Sequence, residues 1–177
     1  SRPGCTWPRS RAPRRRPDAP AGNAAVSPAW RFAPFAQLAT ADLHDILRLR
    51  AEVFVVEQAC AFQDVDGADP LSWHLWSRDG EGIAAYARLI GPGIKFREPS
   101  IGRIVTAPRV RGTGLGRLLV AESVARARAL FPGEALRIGA QQRLERFYAG
   151  FGFRTDSAMY LEDDIPHVEM RLGPEGA

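Results

Sequence analysis

The sequence predicts one α/β domain layered around a single mixed sheet. From residue 30 onward, strand-like and helix-like stretches alternate, ending in strand, helix, strand, helix, strand. The 177 residues are enough for one sizeable core, which makes a single domain the default. A glycine-rich turn, RVRGTGLGRLL (109–119), hands one of those strands to a helix.

Each element has its own signal. WRFAPFAQL (30–38) carries strand-like aromatics. In TADLHDILRLRAEVF (40–54), Thr40 or Asp42 offers an N-cap, and Leu43, Ile46, Leu47 and Phe54 recur at helical spacing, with Arg50 interrupting the stripe. That helix leads through VFVVEQ to ACAFQDVDGADP (59–70), an acidic, turn-rich loop. SWHLWSR (72–78) and GIAAYARLI (82–90) read as two strands, and Asp79, Gly80 and Gly82 supply the turn of a hairpin. After the loop GPGIKFREPS (91–100), IGRIVTAP (101–108) is a strand ending at Pro108. The helix from about Thr113 to Phe131 presents Leu115, Leu118, Leu119 and Leu130 on one side and Val120, Val124 and Phe131 further round. ALRIGAQ (135–141) is a short apolar strand. QRLERFYAGFGF (142–153) places Leu144, Phe147, Tyr148 and Phe151 on one helical stripe, stopped by Gly150 or Gly152. SAMYLEDDIPHVEMRL (157–172) supplies a last pair of strands split at EDDIP.

The formal charge of +4 is unevenly spread. Residues 1–28 hold six arginines against Asp18 alone, which is +5 and leaves the rest of the chain near neutral. With few core-forming side chains to offset the entropy of ordering, this segment is expected to be a disordered Arg/Pro-rich tail, and 29–177 the single domain. A solvated extension is favoured there over an arm for nucleic acid, and no apolar run follows that would make a secretory signal. No stretch reaches the ~18 apolar residues of a membrane span. Cys5 and Cys60 are too few for a disulfide framework or a metal cluster, so no metal is expected and a reducing cytoplasm fits.

The stretch 109–117 is built for an anion. A helix start has unpaired amides and a partial positive charge. Gly112, Gly114 and Gly116 clear side chains from that approach, and Arg109, Arg111 and Arg117 add charge-assisted donors. Phosphate is the natural guest. The spacing fits neither G-x-x-x-x-G-K-[ST] nor G-x-G-x-x-G.

Arg111, Gly114 and Gly116 match R-x-x-G-x-G, and with the strand IGRIV before them and RFYAGFGF downstream the chain resembles the GNAT superfamily of N-acetyltransferases. LRLRAEVFVVEQACAFQDVDGAD, GRIV and LEDDIPHVEM resemble its ElaA-like branch, and the similarity runs over about 30–172. The resemblance implies a GNAT-like, mostly antiparallel central sheet, flanked by helices and splayed at the cofactor site. It implies acetyl-CoA as cosubstrate, with Arg111 to Arg117, including Thr113 and Leu115, around the pyrophosphate. Backbone groups near Ile104 and Val105 would pair with the pantetheine arm. Gln141 stands where many members carry an arm-contacting Asn, seven residues before the Tyr. Tyr148 matches the family's Tyr, the proton donor to the leaving thiolate. Its other reading is a core aromatic beside Phe147 and Phe151.

Either Glu57 or His167 could take the amine's proton, each with a plainer reading as an ion-pair partner or a strand residue. His74, between two tryptophans, reads as structural. Asp64, Asp66 and Asp69 lack the spacing of a calcium loop and would shape the acceptor pocket and favour a cationic amine, or keep a turn soluble. The expected activity is acetyl transfer to a primary amine on a small molecule or protein. The alternative is a non-catalytic acyl-CoA-binding module with the basic tail as an interaction arm, and a homodimer is compatible with either.

Overall fold

The computed structural model describes residues 28–175, so the segment expected to be a tail lies, apart from Pro28, outside the described residues. The elements are β1 (Trp30–Pro34), α1 (Thr40–Arg50), β2 (Ser72–Asp79), β3 (Gly82–Ile90), β4 (Ser100–Thr106), α2 (Leu115–Leu130), β5 (Leu136–Gln141), α3 (Glu145–Ala149), β6 (Arg154–Thr155), β7 (Tyr160–Glu162) and β8 (Ile165–Leu172). They form one sheet in the order β1-β2-β3-β4-β5-β8-β6, with β7 also on β8. Every pairing is antiparallel except β4 with β5. This is the single mixed sheet that the sequence predicts, mostly antiparallel as the resemblance implies.

Period-two alternation in β2 and β3 divides two cores between the faces of the sheet. Leu75, Ala85, Ala87 and Leu89 join Leu119 of α2 and Ile138, Val168 and Met170 on one face. Trp76 and Tyr86 join Ile46, Leu49 and Val53 on the other. Every residue from Ile83 to Ile90 is therefore buried, as a central strand covered on both faces must be. Each fully buried Leu or Ile here contributes about 1.5–3 kcal/mol.

Four expectations are corrected. The first helix starts after Ala39 rather than on a Thr40 or Asp42 cap, because the Asp42 carboxylate instead accepts hydrogen bonds from Arg78 (2.7 Å) and Arg31 (3.3 Å). It also runs on past Arg50 as a wider π-helical turn, Ala51–Glu57, so VFVVE is helical and Gln58 caps it. The buried stripe of α2 is Leu119, Val120, Ser123 and Ala127, which leaves Leu118 49% exposed. The helix expected over 142–153 is a 3-10 turn, Gln142–Leu144, followed by the five residues of α3. EDDIP is a tight β7–β8 turn in which Asp163 and Asp164 both have positive φ, 50° and 62°, a conformation that Asp tolerates better than most residues. Among the described residues, no helix is long and apolar enough to cross a membrane.

Candidate active site

The two parallel strands touch only at their start. Ser100 pairs with Arg137, whose amide donates to the Pro99 carbonyl (2.9 Å); beyond that point β4 and β5 diverge. Arg137 also pins the junction through its guanidinium, which donates to Glu98, Asp156 and Glu169 at 2.6–3.0 Å. On its other side, β4 carries a bulge: Tyr86 opposes Val105 and Arg88 opposes Gly102, so Ala87 faces both Arg103 and Ile104. Arg103 has φ +51°. Such a bulge bends its strand and re-aims its side chains. The result is a cleft of about 420 Å³ with Ile104 and Val105 on one wall and Gln141 and Tyr148 on the other. Arg111, Glu57 and His167 reach the same cleft.

The glycine loop follows β4 through a 3-10 turn, Pro108–Val110, and enters α2 with Gly114 as N-cap. Gly112 and Gly114 have φ of +78° and +88°, and a Cβ built on either meets nothing within 4 Å. The conformation therefore calls for glycine, while the space beside the backbone is open. No side chain caps α2. Among the described residues, the amides of Gly112, Thr113, Gly114 and Gly116 make no hydrogen bond within the protein, whereas the Thr113 hydroxyl donates to the Val110 carbonyl (2.7 Å). Free amides at a helix start, an open approach and the Arg111 guanidinium at the cleft suit a pyrophosphate. A Gly114→Val variant should hold coenzyme A about ten- to a hundredfold more weakly by calorimetry, because a β-branched residue is strained by about 1–3 kcal/mol at this φ.

The three loop arginines differ. Arg111 lines the cleft. Arg117 lies over the Phe151 ring of the neighbouring turn, 5.1 Å from its centroid. Arg109 points elsewhere: it donates to both Asp79 oxygens (2.8 and 3.1 Å) and to the Ile83 carbonyl (3.0 Å), which corrects its expected place in the phosphate cradle. The β2–β3 hairpin supplies these acceptors and so decides its direction.

Tyr148 combines a packed ring with a place in the cleft. Its ring is 7% exposed and packs edge-on against Phe147 and Phe153, while it lines the cleft. Burial pushes its hydroxyl up to about 12, so the proton is retained at neutral pH. On β8, the Nδ1 of His167 lies 2.8 Å from the Ile165 carbonyl. A carbonyl only accepts, so Nδ1 carries the hydrogen, and in the neutral ring the lone pair is on Nε2. Tyr160 stacks on the ring, and a Glu162 carboxylate oxygen lies 4.0 Å from Nε2. Glu57 instead receives two hydrogen bonds from Arg111 (2.8 and 2.9 Å), which hold its carboxyl below the ordinary range. Gln141 donates to Gln58 (3.3 Å) and accepts from Arg143 (2.9 Å).

The acidic loop is not a free anionic rim. Asp64 and Asp69 are buried, and with Asp66 they bind Arg50, Arg88 and Arg103. Arg50, which breaks the stripe of α1, is fully buried: its Nε reaches Asp64 at 2.9 Å and its Nη1 reaches Asp69 at 2.7 Å. Arg103, the residue with positive φ, is gripped by Asp64 (2.8 Å) and Asp66 (3.1 Å), with Phe62 against its guanidinium at 5.5 Å. The loop thus holds the bulge that bends β4, and its charges are spent on these partners rather than offered to a cationic acceptor. His74 is structural as expected: its Nε2 donates to the Asp69 carbonyl (3.1 Å), so its Nδ1 accepts from the Tyr86 hydroxyl (2.9 Å). Arg143 is a cleft residue that sequence reasoning missed. Its signal was a cation just after β5, mirroring Arg111 just after β4.

A parted sheet, an uncapped helix start beside it and a buried tyrosine on the facing wall thus form one site. Residues 54–173 match the family model described as "Acetyltransferase (GNAT) domain". A UPF0039 protein of Synechocystis is 41% identical over 150 residues, covering 83% of this chain and 97% of that protein. Protein ElaA of Escherichia coli is 33% identical over 143 residues, covering 80% of this chain and 94% of ElaA. The crystal structure of an acyl-CoA N-acyltransferase from Pseudomonas aeruginosa superposes with a TM-score of 0.80 at 38% identity, covering 83% of this chain and 100% of that one. The chain belongs to the GNAT acetyltransferase family, in its ElaA-like branch, and is a transferase that uses an acyl-CoA. Membership does not favour the non-catalytic alternative.

Proposed function

We propose that the protein moves an acetyl group from acetyl-CoA directly to a primary amine on a small molecule or a protein. The observation that carries this reading is the β4–β5 divergence, which leaves one edge of β4 without a strand partner beyond Ser100 and opposite Tyr148. Bound there, acetyl-CoA would supply the activated acyl group as its thioester. Backbone groups of Ile104 and Val105 would pair with the arm, and the amides of 112–116 with Arg111 would hold the pyrophosphate. The Nε2 of His167, its tautomer fixed by the Ile165 carbonyl, takes the proton of the attacking amine, and Glu162 faces the imidazolium that results. Tyr148 delivers a proton to the departing sulfur. Glu57, the other candidate base, is engaged by Arg111 in the free protein.

Free thiol should appear when the protein is given acetyl-CoA and a panel of amines. His167→Gln should lower kcat by about 10²–10⁴-fold with coenzyme A affinity unchanged. Binding of coenzyme A without acetylation of any amine would overturn the proposed reaction. A fully active His167→Gln would remove His167 as the base.

A further inference from the structure

Resting on that reading, we propose that Glu57 is an internal stand-in for the cofactor's phosphates. In the free protein its carboxylate holds Arg111; phosphate takes Arg111 over, and the released carboxylate then seats the ammonium of the acceptor.

The pair joins two elements that also share one apolar cluster, through Val53 and Phe54 on one and Val110 beside the other. Glu57 is the last residue of the π-helical turn, and Arg111 begins the glycine loop, 54 positions later. Their contact is a two-pronged, parallel set of hydrogen bonds, the geometry in which a guanidinium reads either a carboxylate or a phosphate. Arg143, at the end of the opposite wall, also acts on Glu57 through its charge and, among the described residues, donates otherwise to the Gln141 amide alone. One carboxylate is thus drawn by cations from both walls of the cleft, beside the loop whose free amides await an anion.

Both side chains of the pair are 43% exposed. An exposed pair is weak, whereas a pyrophosphate brings more charge and also meets the amides of the loop. The exchange therefore runs toward the phosphate. Once freed, Glu57 is an anion in the cleft that houses His167, and it attracts a cationic amine. Acyl-CoA then binds first and strengthens acceptor binding, and linkage requires the acceptor to strengthen acyl-CoA binding by the same factor.

Calorimetry with coenzyme A on the full chain tests this in the wild type, Glu57→Gln, Arg111→Gln and the double variant. Glu57→Gln removes the competitor and should bind about two- to fivefold more tightly, the range an exposed ion pair allows. In the Arg111→Gln background the same change should have no effect. In steady state, Glu57→Gln should raise KM for the acceptor amine, so the two affinities move in opposite directions, which a general structural disturbance does not produce. Unchanged or weaker coenzyme A binding by Glu57→Gln, or an equal gain without Arg111, overturns the proposal and leaves the acetyltransferase reading intact. No coenzyme A binding by the wild type at millimolar concentration overturns both.

Discussion

Replacing Tyr148 by Phe should slow acyl transfer by about 10²–10⁴-fold, the contribution of a positioned proton donor, with little change in coenzyme A affinity. The substitution keeps the ring that packs against Phe147 and Phe153 and removes only the hydroxyl, so the fold should be untouched. Burial holds that hydroxyl protonated. Across the neutral range it is therefore a donor and not a base, and no alkaline loss of rate from this group is expected until pH nears about 12. Single-turnover release of thiol alongside calorimetry separates the two quantities. A variant with undiminished turnover would reduce Tyr148 to its packing role.

The largest effect on stability should come from Arg50→Ala. Arg50 is fully buried, and its removal strands Asp64 and Asp69, both themselves buried, each without one guanidinium partner. Breaking such a pair from one side costs about 3–5 kcal/mol. In a chain of this size each kcal/mol shifts Tm by about 2–4 °C, so a fall of about 6–20 °C is expected by calorimetry. The same network sets an acid limit. Burial works against ionisation of Asp69, but Arg50 and Arg88 outweigh it and hold its carboxyl below the ordinary value, as Arg88 and Arg103 do for Asp66. A depressed carboxyl contributes its stability in full above the unfolded value near 3.9. That contribution disappears as pH falls through the folded values. The share of Tm that this network supplies should therefore be lost only in strong acid, and Arg50→Ala should flatten that part of the acid limb.

What could be read from the chain follows the range of the forces involved. Helices and strands were legible because periodicity and glycine punctuation are local, and the loop from Gly112 to Gly116 was legible because an uncapped helix start needs few neighbours to be understood. Ile104, Val105, Arg111, Gln141, Tyr148, Glu57 and His167 do share one cleft. Direction was harder. Arg109 and Arg111 are two positions apart in one motif, yet Asp79 across the hairpin claims the first and Glu57 the second. Arg50 looked like a break in an apolar stripe, because its two aspartates lie 14 and 19 residues further on and only the folded chain shows that they neutralise it. The acidic loop misled for the same reason: its charge is evident locally, its cancellation only in three dimensions.

The bent strand β4 has an energetic corollary. Because Arg103 is clamped from one side and Arg137 fastens the apex, the gap between the strands is already present before any guest arrives. On the proposed reading, a pantetheine arm entering there need not prise apart a formed ladder, so little of its binding energy is diverted into remodelling the host. Weakening either fastening would let the gap narrow, and the carrier would then have to work against the sheet's own tendency to zip closed.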